Sequence, residues 1–254
     1  MNTAVKRVDH ANGLTEIVID RPERHNAMTL PMYEEMLGLI EECGEPDSGV
    51  GCILLRGTGG KSFISGTDIS YFADFTSGKQ GLEYEAFVER VIDAVERIAV
   101  PTVAVIDGWA VGGGLAIATA CDFRVCTEAT RFGAPIAKTL SNTLSSRNIA
   151  RLAAAFGVPR VKRMLMLAEF LSAEEALACG YVQQVCAATE LQDAALALAQ
   201  RLMDLSPVTQ QAAKESLRRI VVEQSLKDDD LIETVYGSRA FQDGVSAFIS
   251  RGSR

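Results

Sequence analysis

The sequence predicts a layered α/β core with partly parallel strands, followed by a helical C-terminal region. Two observations support this. In the first half, short apolar runs alternate with stretches of helical periodicity, the pattern of strands joined by helices. From about Ser146 onward, helical stretches follow one another with only short breaks. The alternation favours parallel pairing in one sheet, and the later stretches favour a helical appendage.

The strand and helix signals of the first half occur in a regular order. Residues 5–8 and Leu14–Ile19 predict a hairpin around the turn dipeptide Asn12-Gly13. Residues 50–55, Thr102–Ile106 and 123–126 predict short buried strands. Apolar residues at helical spacing predict two helices, one with Leu30, Tyr33, Leu37 and Ile40, and one with Tyr84, Phe87, Val88, Val91, Val95 and Ile98.

The second half carries helix-boundary signals. Ser172-Ala173-Glu174-Glu175 and Thr189-Glu190-Leu191-Gln192 have the residue types of capping boxes, and Gly180 is placed to end the first of these helices. Ser206-Pro207 predicts an N-cap followed by a proline in the first helical position. We therefore divide the chain into a core of residues 1–195 and a helical region of residues 196–254, whose apolar faces suggest contacts between subunits.

Composition and charge argue against several classes of protein. A chain of 254 residues that is 48% hydrophobic can bury a large core, and its net charge of −8 opposes non-specific binding to nucleic acid or anionic membranes. It has no apolar signal core at the N-terminus and no uninterrupted apolar stretch of about 18 residues. The six cysteines contain no C-x-x-C pair, and there are only two histidines. We expect a soluble cytoplasmic protein with reduced core cysteines and no metal.

A glycine-rich run is the most informative local feature. The segment Asp107-Gly108-Trp109-Ala110-Val111-Gly112-Gly113-Gly114-Leu115-Ala116 follows a strand signal and opens an alanine-rich helix signal. Consecutive glycines at a helix N-terminus let unpaired backbone N–H groups approach a ligand oxygen, which suits an oxyanion that develops during reaction. A tight turn between a closely packed helix and strand explains this run equally well. It is not the G-x-G-x-x-G pattern of a dinucleotide site.

A second turn supplies a possible partner for that donor. In Gly60-Lys61-Ser62-Phe63-Ile64-Ser65-Gly66-Thr67-Asp68-Ile69 a strand signal again ends in a turn, and Gly66 frees the backbone of Thr67 to point in an unusual direction. Two such turns after parallel strands meet at the same edge of a sheet. Paired N–H groups converging there form an oxyanion hole for a thioester or an ester.

Several segments together resemble the enoyl-CoA hydratase/isomerase (crotonase) superfamily, over nearly the whole chain. The matching segments, in order and at the family's spacings, are Arg21-Pro22-Glu23-Arg24-His25-Asn26-Ala27-Met28 (R-P-x-x-x-N-A-[LM]), Ser62 to Ile69 ([KRS]-x-F-x-[AS]-G-x-D-[IL]), Pro101 to Gly114 (P-x-[IV]-A-x-[IV]-x-G-x-x-x-G-G-G), Cys121-Asp122, Phe132-Gly133-Ala134-Pro135, and Ser172 to Val182. Each segment alone is a weak signal, and their order makes the resemblance specific.

The resemblance implies a fold, an assembly and a substrate. It implies a crotonase-like repeated ββα superhelix with a C-terminal helical oligomerisation region, assembled as a homotrimer or a dimer of trimers. It implies an acyl-CoA thioester as substrate, no further cofactor, and a thioester carbonyl held between the backbone N–H groups of Thr67 and Gly113. The positions that it assigns to substrate binding are Arg24, His25, Ala27, Ser65, Gly66, Asp68, Ile69, Tyr71, Gly112 and Leu144.

Three of these assignments have a competing interpretation. Arg24 is a reasonable phosphate partner and an equally reasonable solvated arginine. His25 is expected to be a turn residue that lines the nucleotide groove rather than a base. For Asp68 we favour a structural role, in which its carboxylate accepts local backbone N–H bonds that hold the turn around Thr67.

The sequence departs from the family where protons are moved. Hydratases of this family use two glutamates, and the matching positions here are Ala116 and Ile136. A third position, aspartate in some isomerases and dehalogenases, is Leu144. Each acid–base group typically contributes a factor of about 10²–10⁴ to the rate, so the loss of both should remove most hydratase turnover. The chain thus keeps the family's substrate-binding positions but lacks its usual acid–base residues.

Three interpretations follow from this departure. In the first, the chain acts on an acyl-CoA by other chemistry, such as decarboxylation or thioester hydrolysis, with help from Asn142, Ser141 or Arg147, or from Tyr71 or Asp74. The polar residues 138–147 also fit a helix N-cap cluster, and Tyr71 also fits a plain wall of the pocket. In the second, the chain is a non-catalytic acyl-CoA binder. In the third, it is a hydratase or isomerase whose carboxylate comes from elsewhere, with Glu83, Glu85 and Glu89 as candidates.

A serine peptidase is a further class to weigh, because related folds include such enzymes and Ser65 lies at a tight turn. A nucleophilic serine needs a nearby base. Neither His10 nor His25 lies in a segment expected to reach Ser65, so we set this class aside.

Overall fold

The computed structural model describes residues 4–252, so residues 1–3 and 253–254, which the predicted N-terminal and C-terminal ranges include, lie outside it. The strands are β1 (Val5–Asp9), β2 (Leu14–Ile19), β3 (Cys52–Gly57), β4 (Ser62–Ile64), β5 (Thr102–Ile106), β6 (Trp109–Val111), β7 (Phe123–Thr127), β8 (Arg131–Gly133), β9 (Leu171–Ser172) and β10 (Gln184–Cys186). The α-helices are α1 (Leu30–Gly44), α2 (Gly78–Arg97), α3 (Gly113–Ala120), α4 (Ile136–Thr139), α5 (Ser146–Phe156), α6 (Val158–Met166), α7 (Ala173–Ala178), α8 (Leu191–Met203), α9 (Pro207–Arg218), α10 (Asp229–Tyr236) and α11 (Arg239–Gly252).

The strands form two sheets that the chain visits alternately. A six-stranded sheet has the order β1-β2-β3-β5-β7-β10, antiparallel between β1 and β2 and parallel thereafter. A four-stranded sheet has the order β4-β6-β8-β9, with β4, β6 and β8 parallel. Three successive units, β3-β4-α2, β5-β6-α3 and β7-β8-α4, each give one strand to each sheet. The repeated ββα arrangement implied by the resemblance is therefore present.

The large sheet is buried on both faces, as a parallel sheet with covering helices should be. Along β3 the side chains alternate: Ile53 and Leu55 join the main core with α1, α2 and α3, whereas Cys52 and Leu54 join a second cluster under α8. The predicted boundary between residues 195 and 196 falls inside α8, whose Ala195 is fully buried in that second cluster. The division into a core and a helical region at that point stays a prediction.

Most of the local signals are confirmed. The hairpin forms with Asn12 at φ +66° and Gly13 at φ +82°, and Ser206 is the N-cap of α9 with Pro207 in its first turn. Ser172 and Glu175 form the capping box of α7: each side chain accepts the other residue's backbone N–H at 3.1 Å. Gly180, at φ +77°, follows the end of this helix.

The second predicted capping box, Thr189 to Gln192, is wrong. The helix begins at Leu191 with Glu190 as its N-cap, and no side chain caps it. The Gln192 side chain is engaged elsewhere, because its Nε2 donates to Glu16 Oε1 on β2 at 3.0 Å. A tertiary hydrogen bond has thus replaced the local one.

Three predicted properties of the whole chain can be compared with the described part. Between residues 4 and 252 no helix is both long enough and apolar enough to cross a membrane. The same stretch holds no cluster of three or more potential metal-ligating His, Cys, Asp or Glu side chains. All six cysteines are free, and all but Cys179 are buried.

Candidate active site

Two glycine turns meet at one edge of the small sheet. The first follows β4 and the second follows β6, which are neighbouring parallel strands. Gly66, at φ +107°, lies so close to the second turn that a Cβ atom on it would be 3.3 Å from the Val111 carbonyl oxygen and 3.8 Å from the Gly113 nitrogen. Gly112 has φ +54°, and a Cβ on it would be 3.9 Å from the Gly66 Cα. The expected approach of the two turns is therefore present in the fold.

The backbone N–H groups of Thr67 and Gly113 remain available for a ligand. Met28 bonds to the residues on either side of Thr67: its N–H donates to Gly66 O and its carbonyl accepts from Asp68 N, both at 2.8 Å. The Thr67 N–H therefore points away from Met28. Gly113 is the first residue of α3, where a helix has no internal acceptor. Within residues 4–252 neither N–H has a hydrogen-bond acceptor.

A chain of three hydroxyl groups lies directly beside these donors. The Tyr33 hydroxyl is 3.0 Å from Thr67 Oγ1, which is 2.5 Å from the Tyr84 hydroxyl. A Cβ on Gly113 would be 2.5 Å from Tyr33 Oη, so this hydroxyl occupies the space that a side chain would need. Burial raises the pKa of Tyr33, and burial raises the pKa of Tyr84 to about 12. Both phenols are therefore neutral hydrogen-bonding groups.

The turn around Thr67 is held by an ion pair between Asp68 and Arg21. Asp68 Oδ2 accepts from Arg21 Nη1 at 2.7 Å, and Oδ1 accepts from Ser70 N at 3.2 Å and Ser70 Oγ at 2.8 Å. These hydrogen bonds lower the pKa of Asp68 to about 2. Arg21 Nη1 also donates to Ala27 O at 2.9 Å, which ties this turn to the segment before α1.

Asn26, from the R-P-x-x-x-N-A segment, anchors that same segment from inside the fold. It is fully buried at φ +56°, its Nδ2 donates to Thr58 O at 3.0 Å and to Ser62 O at 2.7 Å, and its Oδ1 accepts from Arg21 N at 3.0 Å. The asparagine thus satisfies one carbonyl group in the loop before β4 and one at the first residue of that strand.

The positions assigned to the nucleotide groove form the rim of the two turns. Arg24 and His25 are exposed, with His25 in the left-handed region at φ +54°. Ser65 N donates to His25 O at 3.2 Å, so residues 24–27 and 65–69 lie side by side. Ile69 is 60% exposed, and Tyr71 is 37% exposed within a group of aromatic rings that includes Tyr84.

The three positions at which the resemblance implies an acid in relatives have apolar side chains in this chain. Ala116 is buried one turn into α3, Ile136 is half-buried at the start of α4, and Leu144 packs on the main core. Asn142 is exposed, and Ser141 before it lies at φ +53°. The polar segment leads into α5, whose N-cap is Ser145; its hydroxyl accepts from Asn148 N at 3.2 Å. This matches the N-cap interpretation of residues 138–147.

The three candidate glutamates of α2 have different surroundings. Glu83 is exposed and lies 3.8 Å from Lys79. Glu89 Oε1 pairs with Arg151 Nη1 at 2.8 Å. Glu85 is half-buried, its Oε2 accepts the backbone N–H of Ser145, the N-cap of α5, and it has no cation within ion-pair distance among residues 4–252.

Sequence reasoning missed Tyr33, Tyr84 and Asn26 as parts of this region. Tyr33 and Tyr84 were visible only as members of apolar helix stripes, and Asn26 only as a letter in a motif. The one available signal was the hydroxyl tip on an otherwise apolar stripe, because a buried tyrosine needs a hydrogen-bond partner.

A separate cavity of about 580 Å³ lies between α9 and the core. Its lining is mostly apolar, with Arg151, Lys214 and Arg218 among its polar residues. None of the assigned substrate-binding positions lines it. The candidate N–H donors and the assigned substrate-binding positions are therefore found at and around the two glycine turns and not in this cavity.

Known proteins are similar to this chain over nearly its whole length. Residues 9–253 match the family model described as enoyl-CoA hydratase/isomerase. The chain is 29% identical over 239 residues to a short-chain-enoyl-CoA hydratase of Clostridium acetobutylicum, covering 92% of this chain and 90% of that protein. It is 35% identical over 219 residues to a probable enoyl-CoA hydratase of Mycobacterium tuberculosis, covering 85% and 81%.

Solved structures show the same architecture. An enoyl-CoA hydratase/carnithine racemase from Magnetospirillum magneticum superposes with a TM-score of 0.87 at 25% identity, over 98% of this chain and 93% of that chain. A putative enoyl-CoA hydratase/isomerase family protein from Hyphomonas neptunium superposes with a TM-score of 0.85 at 28% identity, over 98% and 95%.

Proposed function

This chain belongs to the enoyl-CoA hydratase/isomerase family, and we propose that it is an acyl-CoA enzyme whose Thr67 and Gly113 N–H groups bind the thioester oxygen. The single observation that carries the proposal is the approach of the two glycine turns, which leaves both N–H groups without an internal acceptor. Donors fixed in this way stabilise an enolate or a tetrahedral oxyanion, and one such donor is typically worth about 3–4 kcal/mol in the transition state.

The substrate is proposed to lie across the rim and the two turns. Arg24 has the charge to pair with a phosphate of CoA, and His25, Ala27, Ser65 and Ile69 border the path of the pantetheine. Gly66 and Gly112 leave room for the thioester, while Tyr71 and Leu144 line the acyl side. Asp68 holds the turn and does not contact the reacting atoms.

The usual two-glutamate hydration route is not open to this chain, because the side chains of Ala116 and Ile136 have no ionisable group. A reaction that passes through an enolate needs a different acid–base group, or, as in decarboxylation, needs none at the α carbon. A thioester hydrolase and a non-catalytic acyl-CoA binder are the remaining alternatives. Asn142 favours none of these alternatives, since its side chain is exposed and has no hydrogen bond to either turn among residues 4–252.

Two further properties belong to the proposal. The C-terminal region exposes large apolar side chains, among them Leu226 at 82% in the connection before α10 and Phe248 at 79% on α11, which supports an oligomerisation region and a homotrimer or a dimer of trimers. Free cysteine thiols are compatible with a reducing compartment, and we propose the cytoplasm. Light scattering of the purified protein measures the first property directly.

The test of function removes one N–H donor with a matched control. Proline at position 113 lacks the N–H and is accepted at the first position of a helix. Its Cβ would meet Tyr33 Oη at 2.5 Å, so the comparison uses Tyr33→Phe as background; there the next atoms are at 3.7 and 3.8 Å. Gly113→Ala in the same background adds the same Cβ and keeps the N–H.

Turnover is followed by mass spectrometry on crotonyl-CoA and on a panel of enoyl-, malonyl- and hydroxyacyl-CoA thioesters. We expect the proline variant to lie about 10²–10³-fold below the alanine variant in kcat. Equal turnover by the two folded variants would overturn the assignment of Gly113. Binding of every thioester with turnover of none would select the non-catalytic alternative.

A further inference from the structure

Glu85 is the neighbour in sequence of Tyr84, one of the three residues whose hydroxyl groups lie beside the candidate donors. It follows Tyr84, whose hydroxyl contacts Thr67 Oγ1 at 2.5 Å. Burial is the main cause that raises the pKa of Tyr33, and the negative charge of Glu85 raises it further, as it does for Tyr84. The charge of Glu85 thus acts on a hydroxyl group, Tyr33 Oη, that lies beside Gly113.

The carboxylate of Glu85 reaches the backbone next to one of the vacant acid positions. Glu85 Oε2 accepts from Ser145 N at 2.8 Å, and Ser145 directly follows Leu144, where the resemblance implies an aspartate in some relatives. A carboxylate anchored on that peptide bond stands close to where the side chain of residue 144 begins. Position 144 has no carboxyl group of its own, but the carboxyl group of Glu85, on α2, lies next to its backbone.

The other glutamates on this face of α2 are neutralised, whereas Glu85 is not. The nearly buried Arg151 pairs with Glu89 and Glu96, each at 2.8 Å. Arg147 is 57% exposed and lies 4.0 Å from Glu89, not from Glu85. The groups that face Glu85 are therefore the Ser145 N–H, the Glu89 carboxylate and the two tyrosines. Its Oε1 accepts no hydrogen bond from residues 4–252, so one oxygen is anchored and the other is available.

These surroundings shift the protonation equilibrium of Glu85 toward the neutral form. Burial raises its pKa and the neighbouring charge of Glu89 raises it further, against the opposing effect of the Ser145 N–H. A carboxyl group whose pKa moves toward neutrality is better matched to take up and return a proton at physiological pH.

We propose that Glu85 is the acid–base residue of this enzyme and moves a proton at the α carbon of the bound acyl thioester. The inference rests on the proposed function, because the substrate must be held by Thr67 and Gly113. Glu85 Oε1 takes the proton from the α carbon, and the C–H electron pair forms the enolate whose oxygen accepts the two N–H bonds. In the reverse direction the carboxylic acid returns the proton to carbon, and the carboxylate is restored.

The test measures hydrogen exchange at carbon and binding separately. Butyryl-CoA is incubated with the full-length protein in D₂O, deuterium at the α carbon is followed by mass spectrometry, and the Kd for butyryl-CoA is measured by calorimetry. The variant is Glu85→Gln, whose amide oxygen still accepts from Ser145 N, with Glu83→Gln as the control for charge removal on the same helix. Glu85→Asp serves as a second variant that keeps the carboxylate at a shorter reach.

We expect Glu85→Gln to exchange about 10²–10⁴-fold more slowly with Kd unchanged within about twofold, and Glu83→Gln to behave as the wild type. Glu85→Asp should retain part of the exchange. The wild-type rate should rise with pH as the carboxyl group ionises, with a midpoint above the ordinary value for glutamate.

Three outcomes would overturn the inference. If butyryl-CoA binds but Glu85→Gln exchanges as fast as the wild type, or the wild type does not exchange at all, Glu85 is not the acid–base residue and the proposed function stands. If butyryl-CoA and crotonyl-CoA both fail to bind the wild type, the proposed function fails, and the inference fails with it.

Discussion

Replacing Asp68 by asparagine separates a structural carboxylate from a catalytic one. The pKa of Asp68 is lowered from 3.8 to about 2, chiefly by its hydrogen bond with Arg21 and then by those with Ser70. At 1.36 kcal/mol per pKa unit this difference corresponds to at most about 2.4 kcal/mol of stability. Both side chains are 21% exposed, and solvent screening reduces the value of such pairs. We therefore expect Asp68→Asn to lose about 1 kcal/mol at pH 7.

The stability lost in Asp68→Asn should depend on pH in the direction set by the lowered pKa of Asp68. Because the pKa of Asp68 is lower in the folded protein than in the unfolded chain, the carboxylate stabilises the fold fully above about pH 4. Its contribution is lost as the pH falls toward 2. Asparagine does not titrate, so the difference in free energy of unfolding between wild type and variant should shrink over that window.

The assay is urea denaturation at pH 7, 5, 4 and 3, together with turnover at pH 7. Asp74→Asn is the matched control, since Asp74 is an exposed carboxylate six residues further along the same segment. A variant as stable as the wild type at every pH, but with turnover reduced by about 10²-fold or more, would refute the structural role. Such a result would place Asp68 among the reacting groups.

Two other substitutions test the packing around the site. Arg151→Ala removes the buried partner of two partly buried carboxylates and should cost about 3–5 kcal/mol in urea denaturation. Arg163→Ala, at an exposed ion pair, should cost less than about 1 kcal/mol, and similar losses for the two variants would contradict the role of burial. Gly114→Ala places a Cβ 2.0 Å from Ile64 O and should lower the free energy of unfolding by more than about 1 kcal/mol. Gly38→Ala, in an open helix position, is the control and should raise it by about 0.5–1 kcal/mol. A Gly114→Ala variant as stable as the wild type would contradict the close approach of α3 to β4.

The fold and family were accessible from the sequence because glycine and proline positions report backbone geometry directly. The crotonase-type α/β fold is confirmed by the solved structures, and the hairpin at Asn12-Gly13 and the capping box at Ser172 formed as expected. The small sheet was not visible, since its three-residue strands β4, β6 and β8 are too short to display a periodicity.

The contents of the site were only partly accessible for a different reason. The two donor turns each follow a motif, so Thr67 and Gly113 were named in advance. Tyr33 and Tyr84 reach the same place from separate helices, and no local pattern states that their hydroxyls meet at Thr67. Glu85, one of three glutamates on a charged stripe, was distinguished only when the fold showed which neighbour pairs with Arg151.

The repeated ββα arrangement has a consequence for how such a protein changes its chemistry. Thr67, Gly113 and Ile136 each lie two or three residues beyond the end of β4, β6 and β8, so they occupy nearly equivalent positions in three consecutive repeats. The resemblance implies an acid at two of these places in relatives: the one at the position of Ile136 belongs to a third repeat, whereas the one at the position of Ala116 lies one helical turn after Gly113. If Thr67 and Gly113 bind the thioester as proposed, a lineage can lose or relocate the acid of the third repeat while both donor turns stay in place, so that the reaction changes and the ligand is retained.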